Sequence, residues 1–348
     1  YGADPLRFTL ISMASPGRDV KLSKDRVTGY RNFITKIWSA NNFLKLNNCR
    51  YKNKPNEKKI KLKINQWIYS EFHKTNESIK KHIRNFRFDE ASRVLYNFVW
   101  HSYCDWYLEL SKPILWEDSG TNIATDAQKR GTRRTLIRVL EATLRLAHPL
   151  IPFITEEIWQ RVKTLAGQKG ETIMHAAYPT ADASKIDQQA TNDLEWVKSI
   201  IIGVRKIRDE MSISPSAELP LYFVGGSDVD KQRLSDNQQF LVKLAKLSDT
   251  HWVELGDEAP MSSTALVGEM EIHVPMAGFI DKAAEVARLD KDIAKRSGEI
   301  QQLKGKLSNA NFVDKAPAAV VDKEKERLAA AQSAVEKLHQ QIEKIKAL

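Results

Sequence analysis

Over its first half the chain repeats apolar residues three and four positions apart, the period of a helix with one buried face. Between Arg26 and Leu46 that stripe runs Val27, Tyr30, Phe33, Ile34, Ile37, Trp38, Phe43 and Leu44. Asn47, Asn48 and Pro55 break it and predict a loop over 47–57. Two further helices are predicted at 60–86 and 89–110. The second carries Tyr96, Phe98, Trp100, Tyr103, Trp106 and Tyr107, a ring density that predicts a deep helix–helix core. A fourth covers 125–147, with Leu136, Leu140 and Leu144 on its inner face and Arg130, Arg134, Arg138 and Arg145 on a basic one. Pro149 and Pro152 stop it, and Thr155 stands where an N-cap belongs, with Glu156 and Glu157 favourably placed beside a helix macrodipole.

Past Gly167 the texture shortens, and a boundary is expected near 180–190. A helix at 192–211 precedes the strand-like Leu219–Val224, a Gly225-Gly226 turn, a helix near 228–247 and strands near 250–255, 263–267 and 269–275. The final 68 residues change again, to heptads. Val286, Leu289, Ile293, Ile300, Leu303 and Leu307 fill a and d positions, with Arg296 the one charged d position, and Val321, Leu328, Val335 and Ile342 recur every seven residues. Two such helices joined by about ten residues must fold back on each other, each roughly 40 Å long at 1.5 Å per residue. Pro317 suits the first position of the second helix. The pattern predicts a mainly α protein: a helical bundle, a small α/β domain and a C-terminal antiparallel coiled-coil hairpin. The expected boundaries are 1–24 for an entering connector, 25–185 for the bundle, 186–280 for the α/β domain and 281–348 for the hairpin.

Charge sharpens this picture. The net charge is +10, and residues 1–85 hold 19 lysines and arginines against 6 acidic residues, so the remaining 263 residues are slightly acidic. A polyanion is the commonest reason for such a concentration. Cys49 and Cys104 are far apart and form no Cys-x-x-Cys pair, which argues against a disulfide framework or a zinc site and favours a reducing, cytoplasmic setting. No apolar run nears the roughly 18 to 20 residues that span a bilayer, so no membrane partner is expected.

Catalytic chemistry is sparse. Lys21-Leu22-Ser23-Lys24-Asp25 approximates the KMSKS signature of adenylate-forming enzymes, but those lysines act only beside a nucleotide fold carrying His-x-Gly-His, and none of the eight histidines has that context. No glycine-rich phosphate loop, paired metal-spaced histidines or supported Ser/His/Asp set is present. His101 and Cys104, one turn apart, are expected to be packed among core rings, and His148 to end a helix.

Several stretches resemble valyl-tRNA synthetases. The first is Tyr1-Gly2-Ala3-Asp4-Pro5-Leu6-Arg7-Phe8 with Ala14-Ser15-Pro16-Gly17-Arg18-Asp19 and Gly29-Tyr30-Arg31-Asn32-Phe33. Arg205–Pro215 is similar to the same enzymes, and His148–Trp159 resembles the helix junction of the anticodon-binding bundles of valine, leucine and isoleucine enzymes. The most discriminating match is the hairpin tip, Leu307-Ser308-Asn309-x-x-Phe312-Val313-x-Lys315-Ala316-Pro317-x-x-Val320-Val321, because the leucine and isoleucine relatives end differently. The resemblance implies the C-terminal region of a bacterial-type class I enzyme whose catalytic and editing portions precede Tyr1. On that reading the region is a monomer that binds tRNA-Val and is inactive alone. The parent enzyme would use ATP and Mg²⁺, and no cofactor is expected in this region.

The resemblance also implies where RNA is met. Anticodon bases need cationic or aromatic planes and edge hydrogen bonds, with cations on phosphates. The matching positions are Lys36, Asn42 and Phe43, with Asp25 or Arg26 at the start of the same helix, and Arg31 and Lys45 add charge along it. Valyl enzymes often carry arginine where this chain has Asn42, and spacing alone places Phe43 on the apolar stripe. A second surface is implied for the hairpin, at Arg288, Lys291, Lys295, Arg296, Lys304, Lys306 and Lys315, lying along the outer corner of the tRNA. Its net charge is only +3, as any exposed coiled coil of mixed charge shows. Two other readings stay open: a free-standing RNA-binding or scaffold protein with such a bundle, and the matching region of a leucyl or isoleucyl enzyme.

Overall fold

Residues 1–17, 19–51, 62–116, 124–254, 257, 260, 262–275, 282–308 and 318–347 are described in a computed structural model. The chain forms two compact units, one of Tyr1–Ile202 with Asp228–Ala245 and one of Gly203–Ser227 with Lys246–Leu348.

The first unit is helical: α1 (Ala3–Met13), α2 (Lys24–Leu46), α3 (Lys63–Arg84), α4 (Phe88–Asn97), α5 (Leu108–Leu115), α6 (Asp126–Ala147), α7 (Pro152–Val162), the start of α8 (Gln188–Glu210) and α9 (Asp228–Ala245). Phe8, Phe33, Trp67, Leu95, Tyr107, Leu136 and Trp159 are wholly buried at its centre. α2 and α6 follow the predicted apolar periodicity, and α6 opens on a capping box in which Thr125 and Gln128 satisfy each other's backbone N–H.

Three expectations need correction. α7 begins at Pro152, so Thr155 is not its N-cap; it is buried inside the helix and its hydroxyl donates to the Ile151 carbonyl at 2.7 Å. The cap comes from far away, since the Asp4 carboxylate of α1 accepts from the Phe153 and Ile154 N–H groups at 3.3 and 2.7 Å. A carboxylate there suits both the orphan donors and the macrodipole. The ring-rich helix is not uniformly core. Between α4 and α5 it winds as π-helix over Phe98–Tyr107, and its buried positions recur at 98–99, 103–104 and 107–108, the wider turn of an i→i+5 ladder. Trp100, His101 and Trp106 are thereby left toward the surface, and His101 is exposed rather than packed.

Two arginines of the α6 basic face are engaged internally. Arg145 chelates the buried Glu141 carboxylate at 2.8 and 2.9 Å, which in turn accepts from Trp159 Nε1 at 2.9 Å. Arg138 lies over the Tyr51 ring. Buried Asp193 of α8 is held by Lys63 at 2.6 Å and Arg233 at 2.9 Å, tying α3, α8 and α9 together.

The second unit contains β1 (Leu219–Val224), β2 (Leu247–Val253), β3 (Ser262–Val267) and β4 (Met270–Pro275) in the order β2-β1-β4-β3, with β1 parallel to β2 and the other pairs antiparallel. β1 alternates buried Leu219, Leu221 and Phe223 with half-exposed Pro220, Tyr222 and Val224. Pro220 is tolerated in an inner strand because the register slips beside it. Gly226 is required by close approach, as a Cβ there would lie 2.4 Å from Trp252. Buried Arg208, at the end of α8, donates to the Ser214 and Lys246 carbonyls at 3.1 and 2.9 Å.

α10 (Lys282–Ser308) and α11 (Ala318–Ala347) follow. Leu289 and Ile342 are buried against each other with Val286, Ile293 and Leu338 packed around them, and Arg327 reaches Glu299 while Lys306 reaches Glu324. These pairings run in opposite directions along the two helices, so the hairpin is antiparallel as predicted. The tip motif, from Asn309 to Pro317 with Lys315, lies outside the described residues.

Candidate nucleic-acid interface

α2 buries Val27, Phe33, Ile37, Ala40 and Leu44 and turns the opposite face outward. That outer face reads Asp25, Thr28, Asn32, Thr35, Ser39, Asn42 and Leu46, three or four residues apart. The hydroxyls of Thr28, Thr35 and Ser39 each donate to the carbonyl four residues back at 3.0 Å. Their donors are thus committed and their lone pairs face solvent as acceptors. Arg26, Arg31, Asn42 and Lys45 are exposed, and Arg31 lies 5.9 Å from the centre of the Tyr1 ring.

Lys36 is placed differently from an outward-reaching cation. Its ammonium pairs with Asp105 at 2.8 Å and sits 5.0 Å above the Trp100 ring, which itself stacks on Tyr96. Burial opposes the charge, but the hydrogen bond and field of Asp105 outweigh it and hold the Lys36 pKa above the usual lysine range.

Phe43 is half-buried, between the core role its spacing suggests and the exposed role the resemblance implies. Its ring lies 6.1 Å from that of Trp116, the residue that ends α5. Trp116 is 50% exposed, yet its orientation is held: Nε1 donates to Asn47 Oδ1 at 2.8 Å, and Asn47 is buried at the C-terminus of α2. Asn47 is in turn fixed through its own Nδ2 to the Phe43 carbonyl and by Arg133 Nε on its backbone oxygen, both at 2.9 Å. Lys112 lies 5.4 Å over the indole, and Leu46, the last residue of α2, is 81% exposed. Sequence reasoning missed Trp116, since pattern alone assigns such rings to the core. The usable signal was its position, at the end of the ring-rich helix and followed by Glu117-Asp118-Ser119-Gly120.

Among the hairpin candidates, Lys291, Lys295, Arg296 and Lys304 are exposed and form no ion pair or hydrogen bond among the described residues. Lys306 pairs with Glu324 at 3.9 Å, and the side chain of Arg288 and the whole of Lys315 lie outside the described residues. Cys49 and Cys104 are both buried thiols, pushed up to about 12 chiefly by burial, so neither is a nucleophile at neutral pH. Among the described residues no cluster of three metal-ligating side chains occurs, and no helix is long and apolar enough to cross a membrane.

Residues 65–223 match the model of the anticodon-binding domain of tRNA ligase. Residues 281–346, the antiparallel hairpin, match the valyl tRNA synthetase tRNA binding arm. Together the two matches support a tRNA-binding part of an aminoacyl-tRNA synthetase. More narrowly, the hairpin match supports a C-terminal valyl-tRNA synthetase-like region. α1 and α2 precede the matched segment. Among solved structures the chain is similar to the Agrobacterium radiobacter K84 agnB2 LeuRS in its ternary complex with tRNA and LeuAMS, with 13% identity and a TM-score of 0.35. The similarity covers 74% of this chain and 29% of that one.

Proposed function

We propose that this chain supplies tRNA-Val recognition to a valine–tRNA ligase. The helical unit, taken as the anticodon-binding domain, meets the anticodon loop with the outer face of α2 and the Phe43–Trp116 rings. The α/β unit serves as a linker, and the hairpin, taken as a coiled-coil arm, lies along the outer corner of the tRNA. The observation that carries this reading is the hairpin: the match to a valyl arm falls on two antiparallel helices whose heptad residues pack against each other and leave Lys291 and Lys295 outward. The assignment to valine rather than leucine or isoleucine rests on that match.

ATP and Mg²⁺ chemistry belongs to the catalytic portion of such an enzyme, in the cytoplasm. Lys21 and Lys24, on the short loop before α2 and at its first residue, are read as solvated or phosphate-facing. The test is a titration with tRNA-Val and a non-cognate tRNA at two salt concentrations, alongside valine-dependent ATP–pyrophosphate exchange. Preferential, salt-sensitive binding of tRNA-Val with background exchange is expected. Equal affinity for both tRNAs would remove the assignment to valine, and clear exchange would return Lys21 and Lys24 to catalysis.

A further inference from the structure

Gly29 lies in the second turn of α2, inside the helix, where glycine costs about 1 kcal/mol relative to alanine. Its backbone is ordinary helix, and a Cβ there would meet nothing within 4 Å. Neither a turn nor a close-packed neighbour accounts for it. What adjoins Gly29 is open space: a cavity of about 430 Å³ between α1, α2 and α4, within the size range of ligand pockets. A residue that defies local propensity beside a cavity is the kind of conflict that functional sites carry.

The cavity has two chemically distinct parts. One wall is aromatic, built from Phe8, Tyr30 and Tyr96, with Tyr30 4.9 Å from Phe8 and 6.1 Å from Tyr96 between ring centres. The rim is ionic. Asp89 is fixed by two bonds from Arg87, at 2.9 and 2.8 Å, and Glu90 by Arg93 and Arg87 at 2.9 and 3.2 Å. A carboxylate oxygen so held still has lone pairs to offer. Arg26 is exposed on the same rim and has no hydrogen bond or ion pair among the described residues, and neither do the hydroxyls of Tyr30 and Tyr96. An apolar ligand would leave the cation and hydroxyls unused, and a simple anion would leave the rings unused. A flat heteroaromatic group with donors on its edge and a phosphate attached uses all of them.

We propose that this cavity receives one unstacked nucleotide of bound RNA, with its base against Tyr30 and Tyr96, its amino edge toward Asp89 and Glu90, and its phosphate toward Arg26. The missing side chain at Gly29 leaves room for the base. The proposal rests on the reading of this chain as tRNA-binding, and its test separates the two.

Gly29→Leu fills the cavity while removing a helix-interior glycine, so the melting temperature should hold or rise. Arg26→Gln alters only an exposed side chain and cannot disturb the core. tRNA-Val is titrated into the whole chain of the wild type and both variants, with chemical probing of unpaired nucleotides in each complex. The expected result is wild-type binding with protection of one unpaired nucleotide. Gly29→Leu should bind about tenfold more weakly and lose that protection, as removing one base stack predicts, and Arg26→Gln, which removes a phosphate contact, should weaken binding and lower its salt dependence. Wild-type affinity and an unchanged protection pattern in both variants would overturn the pocket and leave the tRNA reading standing. Failure of the wild type to bind any tRNA would overturn both. A parallel arm titrates the four nucleoside monophosphates while following the Tyr30 and Tyr96 ring resonances. Shifts in the wild type that vanish in Gly29→Leu, with tRNA affinity untouched, would make this a free-nucleotide site and overturn the RNA assignment.

Discussion

Replacing Trp116 separates structural from recognition roles at the end of α2. The indole is half-exposed, so Trp116→Ala removes roughly 100 Å² of buried apolar surface, about 2.5 kcal/mol at 25 cal/mol per Å². Loss of the Nε1 bond to Asn47 adds about 1 kcal/mol. Trp116→Phe keeps a ring beside Phe43 and forfeits mainly the hydrogen bond, so it should cost on the order of 1 kcal/mol. For tRNA the ranking is set by the ring instead. A base stacked on Trp116 is worth about 1 to 3 kcal/mol, so Trp116→Ala should weaken binding about 5- to 150-fold while Trp116→Phe retains most of the affinity.

Thermal unfolding by circular dichroism gives the first comparison, and titration with tRNA-Val at two salt concentrations, at a temperature where all three proteins are folded, gives the second. The salt dependence should stay the same, because no cation is removed. Wild-type affinity in Trp116→Ala would show that the exposed ring merely covers the end of α2. Equal losses in the Phe and Ala variants would assign the effect to the Asn47 anchor rather than to stacking.

Asp105→Asn frees the Lys36 ammonium and should tighten tRNA binding a few-fold, a gain that Lys36→Met in the same background abolishes; an equal gain in both backgrounds would mean that Asp105 acts only through its own charge. Neutralising Lys291 and Lys295 to Gln should lower the log–log salt slope of tRNA binding by about 2 with no change in melting, and an unaltered slope would take those lysines off the RNA. Stability should fall in two stages on acidification. His73 and His148 are depressed, first by burial, so their neutral forms favour folding above pH ~6.5 and that contribution is lost as pH falls through their folded values. His73 Nδ1 accepts the Asp182 N–H at 3.1 Å, which requires that nitrogen unprotonated. The second stage lies below pH ~4, where Asp236 loses its Lys63 partner and Asp193, lowered by Lys63 and Arg233 against the opposing cost of burial, is protonated. A melting temperature that stays flat between pH 7 and 5, or a His73→Gln variant with an unchanged first stage, would refute the histidine assignment.

Periodicity carried the elements whose register depends only on their own apolar face. α2, α6, β1 and the two hairpin helices lie close to where spacing puts them. What failed depends on partners far along the chain. Asp4 caps α7 from about 150 residues away, Lys36 finds Asp105 69 residues on, and Arg138 looks like part of a charged face until Tyr51 lies under it. The π-helical turns shift the buried positions of the ring-rich segment by an amount no 3.6-residue period contains, which is why Trp100 and His101 emerge at the surface. The helix that carries the candidate residues was legible, whereas the partners of its individual side chains were not.

The basic excess of the first 85 residues narrows on the same grounds. Lys52, Lys54, Lys58, Lys59 and Lys61 lie outside the described residues, and Lys36, Lys63 and Lys74 are committed to carboxylates. On α2 this leaves Lys24 and Arg26 near one end and Lys45 at the other, with Arg31 near the Tyr1 ring. Between them runs the neutral stripe of Thr28, Asn32, Thr35, Ser39 and Asn42, rich in acceptors and amides. Cations hold a phosphate backbone without regard to sequence, whereas amides and hydroxyl lone pairs discriminate base edges. Under the proposed reading, affinity is concentrated at the ends of α2 and selectivity along its middle. Replacing the amides of Asn32 and Asn42 should then change which tRNA is preferred more than how strongly salt weakens the complex, and Arg26 and Lys45 should behave the opposite way.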